Sequence, residues 1–352
     1  MTTTMPEPVQ RPAPQASYLD DLPERKIGWV ERVLGPENYR ILKGVLTNPL
    51  SVFGISLIAF FIVVALAAPL IAPKSNKREP FMTPRDGFGP IPLPPGSEWK
   101  IRPIAEPFWF ALVGKEKWTH IFGTTTGQYD LFYGIVWGTR TALKVGMLVE
   151  SLTLSIGILV GALSAFYGRW LDNILMRITE IFMAFPYLLA ALTLSAILTP
   201  VIGKGIWPPL VAMIAFGWMG YARIIRGDIL SVRERDYVMA SRVIGVKDRR
   251  IILKHVIPNA IYPTLILASI NIGSDVIAFS ALSFLGIGTE VGYADWGQLI
   301  AFARNWIPSL STYWWIVLFP ALALIFFTLG WNLVGDALRD IMDPRLRRGR
   351  GV

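Results

Sequence analysis

Residues capable of covalent or metal chemistry are scarce in this chain of 352 residues. It contains no cysteine, and its two histidines, His120 and His255, lie far apart. Disulfides, thiolate zinc sites, iron–sulfur clusters and cysteine nucleophiles are therefore excluded, and a histidine-based metal site is not expected. The glycines beside Lys204 lack the upstream glycine and the Ser or Thr of a phosphate-binding loop. We therefore predict that the chain is not an enzyme, binds no cofactor or metal of its own and does not hydrolyse ATP.

Among the polar residues inside the apolar segments, three are candidates for a transport pathway. Glu150 lies in one such segment, and Asn271 and Asp275 lie together in another. An unpaired carboxyl group is costly in lipid, so such residues usually face a bundle interior or a water-filled passage. The alternative is that Glu150 and Asp275 form a structural pair between two helices.

The most charged run in the apolar part of the chain is DYVMASRVIGVKDRRIILKHVIPN, from Asp236 to Asn259. Its charged residues cannot lie in hydrocarbon, so the run must lie in water between two membrane passes. Apolar residues recur in it at helical spacing, at Val238, Met239, Val243 and Ile244. Gly245 then interrupts the pattern, and a second short helix is predicted to follow and to end at Pro258. This helix–glycine–helix elbow indicates a docking surface for a soluble protein, or a basic loop lying on anionic lipid headgroups.

The elements that position these residues are hydrophobic segments. The chain is 53% hydrophobic and 17% charged, with a mean hydropathy of +0.47, whereas a soluble protein carries about 25% charged residues. A helix needs ~20 residues to cross ~30 Å of hydrocarbon. Six apolar segments approach or exceed that length, near 50–72, 142–167, 174–198, 207–226, 261–285 and 313–335. The sequence therefore predicts an all-α integral membrane protein with six transmembrane helices.

The distribution of basic residues predicts the orientation of these helices. With the N-terminus inside, the interior pieces carry 22 Lys and Arg, whereas the two short exterior pieces carry only Lys204 and Arg304. Basic residues concentrate in short cytoplasmic loops, and loops longer than about 60 residues escape the rule. Both termini and the elbow are therefore predicted to face the cytoplasm. The net charge of +9 reflects this orientation, and no nucleic-acid partner is expected.

The remaining segments complete the predicted domain organisation. No apolar core follows a basic start in the first thirty residues, so no cleavable signal peptide is expected. Asp295 is predicted to cap a short helix at the outer membrane interface. We expect a disordered cytoplasmic tail at 1–26, followed by an amphipathic surface helix or a plain linker at 27–49. An aromatic-packed exterior loop is expected at 73–141 and a basic cytoplasmic tail at 336–352.

Several co-linear motifs over about residues 48–345 resemble the permease subunits of ABC importers, in particular the second, C-type permease of the dipeptide/oligopeptide/nickel branch. The elbow resembles the EAA loop of these permeases. Met239-Ala240-Ser241 stands at its first position, Gly245 follows after three residues, and HVIPN closes it. Three further stretches resemble parts of this branch. Its first helix resembles NPLSVFGISLIAFFIVVALAAPLIAP, and the block before its second helix resembles HIFGTTTGQYDLFYGIVWGTRTAL. The region after its fifth helix resembles LSFLGIG followed by WGQLI.

The sequence departs from the family pattern at several positions. Met239 replaces the loop's Glu, and Asp236 is expected to supply the acid from an adjacent helical face. Lys247 stands where a helix-capping Ser or Thr is usual, so Asp248 is expected to take over that role. Gln128 and Thr125 also replace the usual Arg and Asp, and the loop at about 74–118 is longer than is common.

The resemblance implies a type I importer permease with an ABC permease core at 142–335 and a coupling loop at 227–260. It implies a second permease subunit, a different chain, which shares the pathway. Two cytoplasmic ATPase subunits would bind ATP and Mg, an exterior solute-binding protein would deliver substrate, and membrane lipids would surround the helices. The ATPase-coupling residues it implies are Asp236, Met239, Ala240, Ser241, Arg242, Val243, Ile244, Gly245, Arg249, Arg250 and Pro258.

Physical roles follow for these coupling residues. Ala240 and Ser241 are small enough to let the helix approach a groove, and Gly245 permits the turn. Val243 and Ile244 would fill apolar pockets. Rim contacts with acidic groups would come from the arginines, Arg242, Arg249 and Arg250.

Three questions stay open at the level of sequence. The substrate is a peptide or a similar small solute, with oligosaccharides or nickel as the alternative for the same machinery. A stand-alone secondary transporter, in which Glu150 and Asp275 couple ions, is a second reading, although that class often shows internal repeats and none is found here. An integral-membrane enzyme with an exterior site at 73–140 lacks any acid–base or nucleophile constellation.

Overall fold

The structure, a computed structural model, describes residues 29–73, 81–101, 107, 109 and 119–342. This described part contains isolated antiparallel bridges but no β-sheet. Its α-helices, in chain order, are α1 (Trp29–Leu34), α2 (Pro36–Thr47), α3 (Pro49–Ile71), α4 (Leu131–Tyr167), α5 (Arg169–Met183), α6 (Tyr187–Ile202), α7 (Trp207–Gly217), α8 (Met219–Arg233), α9 (Asp236–Val243), α10 (Asp248–Ile251), α11 (Ile257–Ala260), α12 (Tyr262–Phe284), α13 (Trp296–Ala301) and α14 (Trp315–Met342). A π-helical turn joins α10 to α11, and a 3₁₀ helix follows α13.

The chain divides into two compact units, Met1–Lys43 and Gly44–Val352. In the first, α1 ends before Gly35, whose φ of +78° prevents the helix from continuing straight into α2. The predicted amphipathic helix at 27–49 is therefore two helices. The predicted tail at 1–26 lies outside the described residues.

The predicted all-α membrane architecture is confirmed in the second unit. Within the described residues, five helical segments are long and apolar enough to span a membrane: α3, α4, the α7–α8 pair, α12 and α14. The pair α5–α6 makes a sixth span if the two helices are counted together. Each of these segments of the described chain overlaps one of the apolar segments predicted from the sequence.

The third predicted span, 174–198, is not one straight helix. α5 and α6 meet at an angle of 86°. The break falls before Pro186, because proline disfavours helical backbone in the residue that precedes it and cannot donate an amide hydrogen bond. The guanidinium of Arg226, on α8, donates two hydrogen bonds of 2.7 Å to the carboxylate of Asp172 on α5. This ion pair holds α5 against α8.

Three helices extend beyond their predicted ends. α4 has 37 residues and begins at Leu131, because the Asp130 carboxylate caps it by accepting from the Tyr133 amide at 2.9 Å. α8 continues to Arg233, and α14 continues to Met342, within the predicted tail. Apolar length reports only the part of a helix in hydrocarbon, so the polar turns at the ends of α8 and α14 were missed.

Glycines on α4 allow α8 to approach closely. A Cβ at Gly157 would lie 2.3 Å from the Cβ of Tyr221, and one at Gly161 would lie 2.4 Å from the carbonyl oxygen of Ala222. Small residues of this kind let membrane helices approach at backbone distance, where dispersion contacts replace the hydrophobic effect as the source of stability. This contact fixes the position of α8 relative to α4.

A buried histidine ties the described part of the exterior region to α4. The Nδ1 of His120 lies 2.6 Å from Oδ2 of Asp130, and its Nε2 lies 3.2 Å from Oδ2 of Asp86. The Trp99 indole stacks on the imidazole with 4.1 Å between ring centroids. Because Asp130 also caps α4, the cluster joins the exterior region to the start of that helix.

Asp295 caps α13, as predicted, by accepting a hydrogen bond of 3.1 Å from the Gly297 amide. The location of α13 at the outer membrane interface stays a prediction, and the structure adds that this helix is buried within the protein. Its residues Trp296 and Leu299 are each 1% exposed, and α13 packs against α4, α12 and α14. A Cβ at Gly297 would lie 2.1 Å from the carbonyl oxygen of Ser280, so glycine permits this burial.

Candidate functional site

The elbow, Asp236–Asn259, turns at Gly245. α9 ends in two hydrogen bonds, from the Gly245 amide to the Arg242 carbonyl at 3.0 Å and from the Val246 amide to the Ser241 carbonyl at 3.1 Å. With a φ of +79° at Gly245, these bonds form a Schellman cap. A Cβ at Gly245 would meet nothing within 4 Å. Glycine is therefore required here for its backbone conformation and not for space.

One side of α9 is anchored in the protein. Val238 is fully buried and belongs to a cluster that includes Ile229 of α8, Ile251 of α10 and Val256 of the π-helical turn. Val238 shares its helical spacing with Met239, Val243 and Ile244, but spacing alone does not show which side chain faces the protein. The burial of Val238 fixes α9 on the end of α8.

The other side of α9 presents large apolar side chains to solvent. Val243 is 86% exposed and Ile244 is 78% exposed, while Met239 is 44% exposed. These residues precede or flank the turn at Gly245. A pair of aliphatic side chains held at the tip of a rigid turn can enter an apolar pocket of a docking protein.

The other coupling residues make local contacts or are exposed. The Ser241 hydroxyl donates to the Tyr237 carbonyl at 2.8 Å, which keeps the small side chain close to its own helix. The Arg242 guanidinium lies 4.8 Å from the ring centroid of Phe166, on α4, in a cation–π contact. The remaining members are exposed: Asp236, Ala240, Arg249, Arg250 and Pro258.

The second half of the elbow differs from its predicted form. The residue before α10 is Lys247, which makes no side-chain cap, and Asp248 lies within the first turn. The capping role expected of Asp248 is therefore wrong, although an acid in the first turn still complements the helix dipole. Pro258 does not end a helix either, because it stands in the first turn of α11, where its missing amide costs nothing. Helical structure thus runs without a break from α10 through the π-helical turn to α11, and a single residue separates the end of α11 from the start of α12.

The three candidate pathway residues meet at one cavity. Glu150 of α4 and both Asn271 and Asp275 of α12 line a cavity of about 590 Å³, which we call the carboxylate cavity. Tyr221 of α8 joins them, since its hydroxyl accepts a hydrogen bond of 2.6 Å from the Asn271 amide and lies against the Glu150 carboxyl. Glu150 is 4% exposed. Residues separated by up to 125 positions in the sequence thus form one polar site.

Comparison with known proteins decides the family. A family model described as the binding-protein-dependent transport system inner membrane component matches residues 157–348, more than half of the chain. The chain belongs to this family. The dipeptide transport system permease protein DppC of Alkalihalophilus pseudofirmus is 30% identical over 347 residues, which is 99% of this chain and 100% of that relative.

Two further proteins are similar to this chain. The oligopeptide transport system permease protein OppC of Bacillus subtilis is 36% identical over 229 residues, covering 65% of this chain and 73% of that protein. A solved structure titled as inward-facing conformations of the MetNI methionine ABC transporter is 20% identical, with a TM-score of 0.49, and covers 60% of this chain and 98% of its own. As a member of the binding-protein-dependent transport family, this chain is a multi-pass inner membrane component.

Two residues of the carboxylate cavity in this inner membrane component were missed by sequence reasoning. Tyr221 and Tyr187 both line the cavity, but tyrosines inside apolar segments resemble ordinary packing or interface residues. A signal for the cavity was present at Pro186, where the predicted third span breaks. Helices interrupted at membrane depth are typical of binding sites in transport proteins.

Proposed function

We propose that this chain is a permease subunit of an ATP-driven importer for peptides. Family membership supports the transport role, and the names of the dipeptide and oligopeptide permease relatives support the substrate class. The observation that carries the ATP-driven mechanism is the tip of the elbow, where Val243 and Ile244 are 86% and 78% exposed. Burial of side chains this large removes apolar surface worth about 1.5–3 kcal/mol each, so a partner that covers the tip gains affinity.

The elbow is the coupling element in this proposal. Two ATPase subunits bind ATP and Mg, and one of them receives the Val243–Ile244 tip in a surface groove, with Arg249 and Arg250 at the rim. Closure of the ATPase pair moves the elbow. The helical run from α10 through α11 passes that movement to α12, which carries Asp275 of the carboxylate cavity. This produces alternating access without catalysis in the chain itself.

The other proposed partners follow from the same arrangement. A second permease, a different chain, completes the pathway, and a solute-binding protein delivers substrate on the exterior side. The excess of Lys and Arg in the elbow and the terminal segments supports a cytoplasmic location for both termini. Glu150, Asn271 and Asp275 line the passage along which the substrate moves.

The substrate is tested on the cognate binding protein and then on the whole transporter. We expect di- or tripeptides to raise the melting temperature of the binding protein, whereas oligosaccharides and Ni²⁺ do not. Proteoliposomes containing both permeases and the ATPases should accumulate the same peptides only when ATP and the binding protein are supplied. Stabilisation by oligosaccharides or Ni²⁺ alone would refute the substrate class. Uptake driven by an ion gradient without ATP would identify a secondary transporter instead.

A further inference from the structure

We propose that the carboxylate cavity binds the terminal ammonium group of a peptide during its passage through the permease. This inference rests on the proposed function as a peptide importer. It assigns a specific chemical role to the site formed by Glu150, Asp275 and Tyr221.

The first observation is that the cavity holds unmatched hydrogen-bond acceptors. The carboxyl groups of Glu150 and Asp275 form a hydrogen bond with each other, and Glu150 Oε1 and Asp275 Oδ2 are buried without a hydrogen-bond partner within the described part of the chain. Among those same residues, no Lys, Arg or His lines the cavity. Two carboxyl groups that share one proton still carry one negative charge, and such a charge is costly at membrane depth without a positive partner. The cavity is therefore built to receive hydrogen-bond donors with positive charge.

The second observation is the aromatic character of the walls. Phe185, Tyr187, Phe216 and Tyr221 all line the cavity. Aromatic rings attract an ammonium group through their quadrupoles, and the attraction strengthens when water is excluded. Carboxylates and aromatic rings together select an organic cation over a neutral or anionic group.

The third observation is that a broken helix borders the cavity. The 86° bend between α5 and α6 contributes Met183, Phe185 and Pro186. Irregular backbone at membrane depth is tolerated where it lines a cavity, and interrupted helices mark solute sites in transporters. This interruption at the cavity supports a binding role over a purely structural pair.

The size and ligand set of the cavity favour an ammonium group over a metal ion. Its volume of about 590 Å³ lies within the usual range for small-molecule sites, about 300–1,000 Å³. The described residues contain no group of three His, Cys, Asp or Glu that could hold a metal ion. A terminal ammonium offers several N–H donors, which Glu150 Oε1 and Asp275 Oδ2 can accept. A peptide α-ammonium has a pKa of about 7.7–8.0, so it is largely charged at pH 7.

Tyr221 orients the acceptors. Its hydroxyl oxygen accepts from the Asn271 amide at 2.6 Å, so its own hydrogen remains available to the Glu150 carboxyl beside it. Tyr221 is thus a positioning residue for Glu150. Its replacement by Phe should weaken ammonium binding less than loss of either carboxylate does.

The direct test uses the complete transporter without its binding protein, because that protein has its own recognition of peptide ends. The thermal-unfolding midpoint of the reconstituted complex is measured against trialanine and against N-acetyltrialanine. We expect trialanine to stabilise the wild-type complex at concentrations at least about ten-fold lower than the acetylated peptide. The double variant Glu150→Gln/Asp275→Asn should lose this preference. Glu180→Gln, which removes a carboxylate that is 57% exposed and paired with Arg177, should retain it.

A second measurement separates this inference from the proposed function. Uptake of trialanine and ATP hydrolysis are followed with the binding protein present. We expect the double variant to lose at least about ten-fold in uptake while ATP hydrolysis still responds to the binding protein. Failure of the wild-type complex to take up any peptide would refute the proposed importer function. If the wild-type complex takes up trialanine but its thermal-unfolding midpoint shows no preference for trialanine over N-acetyltrialanine, only the ammonium site is overturned.

Two outcomes decide the remaining alternatives. A double variant that keeps the preference for trialanine, or that changes only the pH dependence of uptake, overturns the proposal in favour of a proton-sharing pair. If the double variant does not assemble, Asp275→Asn alone replaces it, since Asp275 is less buried than Glu150. A loss of preference of at least about three-fold is then expected, and an unchanged preference overturns the proposal.

Discussion

Gly245 shows how a single backbone conformation can determine the geometry of a coupling element. Its φ of +79° closes α9 through the two cap hydrogen bonds, and the space around its Cα is open. A side chain here would fit, but the left-handed conformation costs an L-residue about 1–2 kcal/mol, most for β-branched residues. The strain would act on the angle between α9 and α10 and not on the membrane core.

We predict that Gly245→Val uncouples ATP hydrolysis from uptake while membrane insertion remains normal. The Val243–Ile244 tip would no longer meet its groove at the required angle. Uptake and ATP hydrolysis are measured in proteoliposomes. Gly227→Val is the matched control, because Gly227 lies within α8, also in open space, without a positive φ. Gly245→Asn should be intermediate, since Asn tolerates the left-handed region. Normal uptake by Gly245→Val would remove the coupling role from this turn.

Asp295 gives a prediction on pH dependence. Burial raises the pKa of its carboxyl to about 6, although hydrogen bonds including one from the Gly297 amide oppose the rise. An unfolded Asp titrates near about 3.9. The folded state therefore holds the proton more tightly, so the stabilising contribution of the protonated carboxyl is complete below about pH 4 and is lost as the pH rises through about 6.

We predict that Asp295→Asn stabilises the protein at pH 7.5, because the amide oxygen still caps α13 and no buried charge remains. The gain in the free energy of unfolding is at most about 3 kcal/mol, which corresponds to a pKa difference of roughly two units. It should disappear near pH 4, where the wild-type carboxyl is neutral. Thermal-unfolding midpoints in detergent at the two pH values check this. An equal change at both values would show that charge burial is not the cause.

At the scale of elements, the contact between α4 and α8 supports the carboxylate cavity, because Glu150 lies on α4 and Tyr221 on α8. We predict that Gly161→Leu prevents this contact, since even a Cβ would lie 2.4 Å from the Ala222 carbonyl oxygen. The yield of monodisperse protein after detergent extraction should fall several-fold, as expected when overpacking strains a helix interface. Gly227→Leu, on the open side of α8, should leave the yield unchanged. A normal yield for Gly161→Leu would show that α4 and α8 can separate without loss of folding.

The basic residues of α10 give a second prediction at this scale. Reversal of charge at Arg249 and Arg250 should weaken recovery of the ATPase in a pull-down of this permease, most strongly at low salt, because exposed charges are screened within about 10 Å at 0.1 M salt. Arg177→Glu is the control, since that side chain is 77% exposed and lies on α5 outside the elbow. Unchanged recovery of the ATPase would instead indicate contact between these arginines and lipid headgroups.

At the scale of the whole molecule, the orientation in the membrane can be tested directly because the chain has no native cysteine. Phe88 is 83% exposed in the exterior region, and Lys254 is exposed in the elbow. We predict that Phe88→Cys reacts with a membrane-impermeant maleimide in spheroplasts, whereas Lys254→Cys reacts only after permeabilisation. The reverse labelling pattern would place the elbow outside and contradict the coupling mechanism.

The membrane-spanning segments and the elbow could be predicted from the sequence because their signals are local. About twenty apolar residues are enough to specify a span, and the spacing around Gly245 is enough to specify a capped turn. The same local character explains the errors. Periodicity cannot tell that Val238 points into a cluster on α8 while Val243 and Ile244 point into solvent.

The sequence alone determined the membrane class, the apolar core of the predicted spans, the turn at Gly245 and three polar residues that line the cavity, Glu150, Asn271 and Asp275. Only the tertiary structure decided that Glu150, Asp275 and Tyr221 share one cavity. Its walls come from several helices, and their approach depends on contacts such as Gly161 against Ala222. It also decided that α13 is buried and that the third span bends before Pro186. The physical reason is that hydropathy and the free-energy cost of a polar residue in lipid are properties of a few turns of one helix. A site between helices depends instead on which helix surfaces pack together.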